Sequence, residues 1–214
     1  MENFSLQCEK IMQQEKDSRP KLLLHSCCAP CSSYVISYLA QAFNVTVFYY
    51  NPNISPREEY EKRKAEQLRL IQTLGVNFLD CEYEGEAFTL AAQGLENEPE
   101  RGARCAKCFA LRLQKTAQAA KDGGYHWFCT TLSVSPLKSA PLLNQIGQEM
   151  GKEYGTNFLP SDFKKKGGYL QSIELSRAHG LYRQDYCGCA FSKAQREREK
   201  EQKQTERFAE SKEI

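Results

Sequence analysis

Seven of the chain's ten cysteines fall into three groups: Cys27-Cys28-Ala29-Pro30-Cys31, Cys105-Ala106-Lys107-Cys108 and Cys187-Gly188-Cys189. Thiols at such spacings either hold a metal or trade electrons as a dithiol and disulfide. The Cys105/Cys108 spacing places two thiols about one helical turn apart on one face. At a helix N-terminus the dipole favours their anionic form. Two thiolates do not close a four-thiolate site, and Cys27-Cys28 is the natural second pair. Neighbouring cysteines are expected to point apart, which suits a cube whose corners bind different thiolates better than one tetrahedral ion. A four-iron, four-sulfur (4Fe-4S) cluster is therefore preferred to structural zinc, with a plain Cys105/Cys108 redox dithiol as a third reading. Cys31 makes the count odd: it is a spare ligand, part of a second metal site, or a packing residue.

Cys187-Gly188-Cys189 reads differently. A disulfide across one residue closes a small, strained and readily reduced ring, and Gly188 supplies the backbone freedom it needs. Metal ligation by the pair is the competing reading. Cys8, Cys81 and Cys129 stand alone and read as small buried hydrophobes. His25 reads as a satisfied strand-end histidine rather than a ligand. No Gly-rich dinucleotide fingerprint and no GxxxxGK[ST] loop is present, so thiols and Pro30 occupy the place of a phosphate cradle after the first strand.

Those groups must be carried by something. Apolar runs at Lys21–Ser26, Val45–Tyr50, Val76–Asp80, Trp127–Thr130 and Thr156–Leu159 read as strands. Helical spacing covers Ser32–Phe43, Pro56–Leu74 (with Ser55 as its cap), Glu86–Leu95, Cys105–Lys121 and Pro141–Tyr154. Strands alternating with helices predict an α/β fold with a parallel, doubly wound sheet, whose ligand lies beyond the carboxyl ends of the strands. Cys27, Cys28, Asn51, Cys81 and Thr130-Thr131 fall at such ends. The expected division is an N-terminal arm at 1–20, an α/β catalytic domain at 21–192, and a charged helical or frayed tail at 193–214.

The chain has 214 residues, 41% hydrophobic and 26% charged, with net charge +2. This excludes a disordered or fibrous chain, and no apolar run approaches a membrane span. With no signal-like apolar segment at its start, the chain is expected in the cytoplasm, where cysteines serve metals and redox chemistry. So balanced a charge requires any RNA-binding patch to be local. Arg57, Lys62, Arg63, Lys64 and Arg69 share one helix, and Arg101, Arg104, Lys107, Arg112 and Lys115 surround the second cysteine pair. Lys164–Lys166 and Arg183 follow, with Tyr49, Tyr50, Tyr169, Tyr182 and Tyr186 interleaved, a mixture suited to phosphates and bases. Solvated helix faces and core tyrosines account for most of it.

Taken together, the text Leu23–Ser32, Phe48–Ile54 with Glu59-Tyr60 and Arg63, Arg104–Cys108 with Arg112-Leu113, Thr130–Lys138 and Leu181–Cys189 resembles the epoxyqueuosine reductases of the QueH type. The resemblance spans about residues 21–193. It implies reduction of the epoxide of epoxyqueuosine, at the wobble position of a tRNA anticodon, to queuosine without cobalamin. It implies a core similar to the adenine-nucleotide α-hydrolase (HUP-like) fold. It also implies Cys27, Cys28, Cys105 and Cys108 as cluster ligands and Cys187 with Cys189 as the redox-active pair. Opening an epoxide to an alkene takes two electrons and two protons, while one cluster delivers electrons singly. The second store is either the Cys187/Cys189 dithiol or a second, mononuclear iron, for which Cys31 and the same pair are candidates. The expected partners are tRNA carrying epoxyqueuosine, met by Tyr182, Arg183 and Lys138, and a ferredoxin- or flavodoxin-type donor; no membrane is expected. A zinc-stabilised RNA-binding module without redox activity would be colourless. A cluster-dependent tRNA thiolase would need the missing ATP loop.

Overall fold

Leu22, Leu23 and Leu24 are fully buried, as befits a strand covered on both faces. They lie at the centre of a computed structural model that describes residues 2–210. The chain runs α1 (Phe4–Glu15), β1 (Lys21–His25), α2 (Ala29–Leu39), β2 (Asn44–Phe48), α3 (Arg57–Leu74) and β3 (Asn77–Leu79). It continues through α4 (Gly85–Ala92), α5 (Ala103–Asp122), β4 (Trp127–Thr130), α6 (Ala140–Tyr154), β5 (Asn157–Phe158), α7 (Gly168–Ala178) and α8 (Ala190–Glu210). The five strands form one sheet in the order β3-β2-β1-β4-β5, and every pairing is parallel. All five strands read from the sequence are present.

Alternation along β1 sorts its leucines. Leu22 and Leu24 pack with Val35, Ile36 and Leu39 of α2. Leu23 faces the opposite layer, with Leu113 and Ala117 of α5 and Leu143 and Ile146 of α6. Chain order reverses where β1 lies between β2 and β4, and a crevice opens there beyond the carboxyl ends.

Four local features differ from the sequence expectation. α2 starts at Ala29 rather than Ser32, with Cys28 in the cap position and Pro30 in the first turn, where its missing N–H costs nothing. Ser55 does not cap α3; Pro56 takes that position without a side-chain bond, and the Ser55 N–H instead donates to Gly188 O at 3.0 Å. The N-terminal segment, expected as a short helix or frayed arm ahead of the domain, is a helix packed into it, burying Cys8 and Met12 in the α2-side core. α7 was not expected, and its inner face is Gly168, Ser172 and Ser176. The tail is helical through Glu210; residues 211–214 of the expected tail lie outside the described residues.

Candidate metal centre

The first thiol group is built by the turn from β1 into α2. The Cys27 N–H donates to Thr131 Oγ1 at 3.0 Å, and that hydroxyl donates to Cys27 Sγ at 3.3 Å. Cys28 is extended, with φ −175°, and Cys31 follows one turn later on the same side. The sulfurs of Cys27 and Cys28 are 3.8 Å apart, so adjacency does not splay them as expected, because the strand-to-helix bend brings both side chains inward. With Cys31 they form the only three potential ligand atoms among the described residues that all lie within 4.8 Å of one another. Hydrogen bonding from Cys28 and Cys31 holds the Cys27 thiol well below its ordinary range. The same contact with Cys27 pushes Cys28 up to about 12 and raises Cys31.

The second group joins two distant segments. Cys105 and Cys108, in the first turns of α5, line one cavity with Cys187, Cys189, Asn53, Arg104 and Lys138. Burial pushes Cys108 up to about 12 and Cys189 to about 11, and raises Cys105. The Cys187–Cys189 loop is fastened at three points. Arg63 Nη1 donates to Cys187 O at 3.3 Å, the Cys187 N–H donates to Ser192 Oγ at 3.1 Å, and Gly188 O receives Ser55. Gly188 has φ +119°, and a Cβ there would lie 2.9 Å from Arg63 Nη1. Only glycine allows this close approach. All ten cysteines are unpaired, Cys187 and Cys189 included.

Arg112 lies between the two groups, 2% exposed. Its Nε donates to His25 Nε2 at 3.2 Å, Nη2 to Asn51 Oδ1 at 2.5 Å, and Nη1 faces Cys108 Sγ at 4.0 Å. His25 Nε2 thus faces both the Arg112 guanidinium, which can only donate, and Tyr50 O at 3.1 Å, while Nδ1 lies 2.8 Å from Thr130 Oγ1. Burial, then the Arg112 charge, lowers the His25 pKa to about 3, so the ring is neutral. This is the satisfied strand-end histidine the sequence suggested. Lys138 Nζ lies 3.5 Å from Cys187 Sγ, and Lys138 and Cys187 line both the second cavity and the one bounded by Cys27, Cys28 and Cys31.

The predicted ligands Cys27 and Cys28 line one cavity and Cys105 and Cys108 the adjoining one, and the two cavities share Glu100, Leu137, Lys138 and Cys187. Cys31 joins the first pair, and Cys187 with Cys189 the second. Lys138, Arg183 and Tyr186 line the crevice, whereas Tyr182 packs under Lys62 Nζ, 3.7 Å from its ring centre, and does not line it. The basic clusters are less available than their sequence suggests. Arg63, Arg104 and Arg112 are buried, as are Tyr49 and Tyr50. Lys64, Arg69 and Lys115 are paired with Asp80, Glu66 and Glu84. Cys8 and Cys129 are core residues, and Cys81 donates to Tyr49 O at 3.3 Å. Sequence reasoning missed the central place of Arg112, although its position four residues after Cys108 puts both on one face of α5.

Residues 22–195 match the family model of the epoxyqueuosine reductase QueH. The chain is 40% identical over 202 residues to the epoxyqueuosine reductase QueH of Streptococcus pyogenes serotype M1, covering 89% of this chain and 79% of that protein. It is 41% identical over 200 residues to the Staphylococcus epidermidis protein of the same name, covering 89% and 84%. The Thermotoga maritima protein of that name is 37% identical, covering 82% and 91%. Among solved structures, the U34-tRNA thiolase NcsA from Methanococcus maripaludis with its 4Fe-4S cluster superimposes with TM-score 0.54 at 10% identity. That match covers 88% of this chain and 68% of that one, a likeness of fold. The chain belongs to the epoxyqueuosine reductase QueH family.

Proposed function

We propose that this family member performs its reduction at the thiol-lined crevice beyond the carboxyl ends of β1 and β4. As an epoxyqueuosine reductase it acts on tRNA, converting the epoxide of epoxyqueuosine at the anticodon wobble position to the alkene of queuosine. The conversion takes up two electrons and two protons and releases the oxygen as water. The observation that carries the proposed site is that seven thiols line two adjoining cavities joined by Cys187 and Lys138, with two cations, Arg112 and Lys138, that form no ion pair with a carboxylate among the described residues. Such a donor set fits a thiolate-held iron–sulfur cluster, an anion, and suits a hard cation such as magnesium poorly.

Cys27, Cys28, Cys105 and Cys108 would hold a 4Fe-4S cluster, which supplies single electrons at low potential when bound. Cys187 and Cys189 would act as the dithiol that stores the electron pair which the cluster handles one electron at a time, their loop held at the crevice by Arg63 and Ser192. One competing arrangement has Cys31 and the Cys187/Cys189 pair contribute to a second, mononuclear iron; Cys187 lines the cavity of Cys31, whereas the tight trio keeps Cys31 beside Cys27 and Cys28. Lys138, beside Cys187, and Arg183, exposed at the rim, would meet the modified nucleotide and its phosphate; Tyr182 would contact RNA outside the crevice. We assign the catalytic unit to residues 21–192, electron supply to a ferredoxin- or flavodoxin-type protein, and the location to the cytoplasm. No helix among the described residues is long and apolar enough to cross a membrane. Neither rival reading gains support. A thiolase would need a phosphate-binding loop where Cys27-Cys28-Ala29-Pro30 stands, and a zinc module would have no epoxide to reduce.

The test is anaerobic purification followed by iron and sulfide analysis and turnover of tRNA carrying epoxyqueuosine with a chemical reductant. Brown protein with about four irons, absorbing broadly near ~400 nm and forming queuosine, is the expected result. Colourless protein containing zinc would overturn the cluster.

A further inference from the structure

Arg63 is 2.7 Å from Glu59 and Lys115 is 2.7 Å from Glu84. Arg104, Arg112 and Lys138 have no carboxylate partner among the described residues. The buried Arg104 is satisfied by the carbonyls of Leu95 and Glu96, whereas Arg112 reaches an imidazole, an amide oxygen and the Cys108 sulfur. The guanidinium cannot shed its proton to escape the interior, and a buried charge is tolerated only where an opposite charge meets it. Glu100 lines the crevice but pairs with neither Arg112 nor Lys138. Asp185, the other carboxylate lining the crevice, is paired with Arg196 and Lys200, which leaves the thiols beside Arg112 to carry the missing negative charge.

The tethers add direction. His25 and Asn51 hold Nε and Nη2, and both belong to the carboxyl-end turns of β1 and β2. That leaves Nη1 aimed at Cys108, with Cys27 on the other side. An arginine fastened by an imidazole and an amide, neither of them a carboxylate, and pointed at sulfur is arranged to act on the charge of what the sulfurs hold.

We infer that Arg112 is the built-in counter-charge of the cysteine site, a positioning residue that raises the reduction potential of the cluster bound there. This rests on the cluster reading above. Reduction adds one negative charge to the cluster. A fixed cation in a low-dielectric, salt-inaccessible place stabilises the reduced form more than the oxidised form. Lys138, on the far side of Cys187, acts in the same sense. Neither residue ligates iron or supplies electrons.

The experiment is an anaerobic redox titration of reconstituted full-length wild type, Arg112→Gln and Arg112→Lys, followed by visible absorbance and electron paramagnetic resonance, with iron analysis of each. Iron content should be equal in all three. At a fixed poise the reduced-to-oxidised ratio in Arg112→Gln should fall at least tenfold, which is 59 mV for a one-electron couple. Arg112→Lys, which keeps the charge and loses the fork, should recover more than half of that shift. A purely packing role would disturb melting temperature or iron content in both variants without this ordering. Should Arg112→Gln fail to fold, Lys138→Met carries the test, with a shift of the same sign expected. Equal potentials with full iron would overturn the inference and leave the cluster reading intact. Wild type without iron would overturn both.

Discussion

Replacing Gly188 with alanine measures how firmly the Cys187–Cys189 loop is set against the rest of the site. At φ +119° an L-residue is strained whatever space surrounds it, at about 1–3 kcal/mol. Here there is no space. The new methyl would lie 2.9 Å from Arg63 Nη1 and 3.0 Å from Ile54 Cγ1, and both residues are buried. Arg63 cannot swing aside cheaply, because Glu59 and the Cys187 carbonyl hold it. Adding modest overpacking gives a total of roughly 2–4 kcal/mol. The loop is tied by few hydrogen bonds, so the strain should be relieved by local detachment rather than global unfolding. The reporter is the Ser55 amide, which donates to Gly188 O. Its hydrogen exchange should accelerate on the order of 30-fold or more, since about 1.4 kcal/mol is tenfold, and turnover should fall with it. Gly94→Ala is the control: φ is +77° there with nothing within 4 Å of a Cβ, so it carries backbone strain alone and leaves Ser55 protected. Gly188→Ala with wild-type Ser55 exchange and full turnover would refute the docking of this loop.

Cys105→Ala should leave reconstituted protein with far less iron and no activity; full iron and sulfide in that variant removes Cys105 from the ligand set. Cys187→Ser should keep iron and colour but lose epoxide reduction, whereas iron loss would assign the pair to metal, and full multiple-turnover activity would leave it a structural element of the loop. Binding of an anticodon stem-loop should weaken with salt at a log–log slope near −0.7 per phosphate contacted. Because most of the arginines in the two basic clusters are buried or paired, that slope should correspond to only a few phosphates. Affinity indifferent to salt would place recognition elsewhere.

How far the sequence discloses this molecule depends on what each signal measures. The five strands are legible because β-branched and apolar runs bounded by turn residues leave little else for them to be. The cysteine groups are legible because their spacing is itself the signal, and strand ends supply the place. α7 is not, since the face it buries is Gly168, Ser172 and Ser176, a stripe at helical spacing that carries no hydrophobic periodicity. Gly168 is there because a Cβ would collide with the Phe163 carbonyl and the Tyr34 ring. Charge is the least legible property. Arg63, Arg104 and Arg112 look like surface cations in a basic helix and are among the most buried large side chains. Sequence records the charge of an arginine but not whether its stem runs outward or inward. The direction is decided by tertiary partners, here Glu59, two backbone carbonyls and the His25–Asn51 pair.

The same partners explain how an α/β core can give up its glycine-rich loop without losing its binding site. At the crevice between β1 and β4, such sheets concentrate positive potential at helix N-termini, and the usual occupant is a phosphate. In this chain Cys28 caps α2 and Cys31 lies in its first turn, while Cys105 and Cys108 lie in the first turns of α5. Each thiol pair therefore occupies a position where a backbone dipole favours an anion. In the proposed site, thiolates holding a cluster would meet that demand for negative charge. Thiolates, however, are fixed to the chain and cannot leave, so their compensation must also be fixed. Arg112, tethered by two neutral groups, and Lys138, beside Cys187, provide it from inside the fold. A glycine loop that closes around a mobile phosphate would serve no purpose here. Pro30 and the packed Ser26–Ser32–Gln67 hydrogen bonds make the turn rigid.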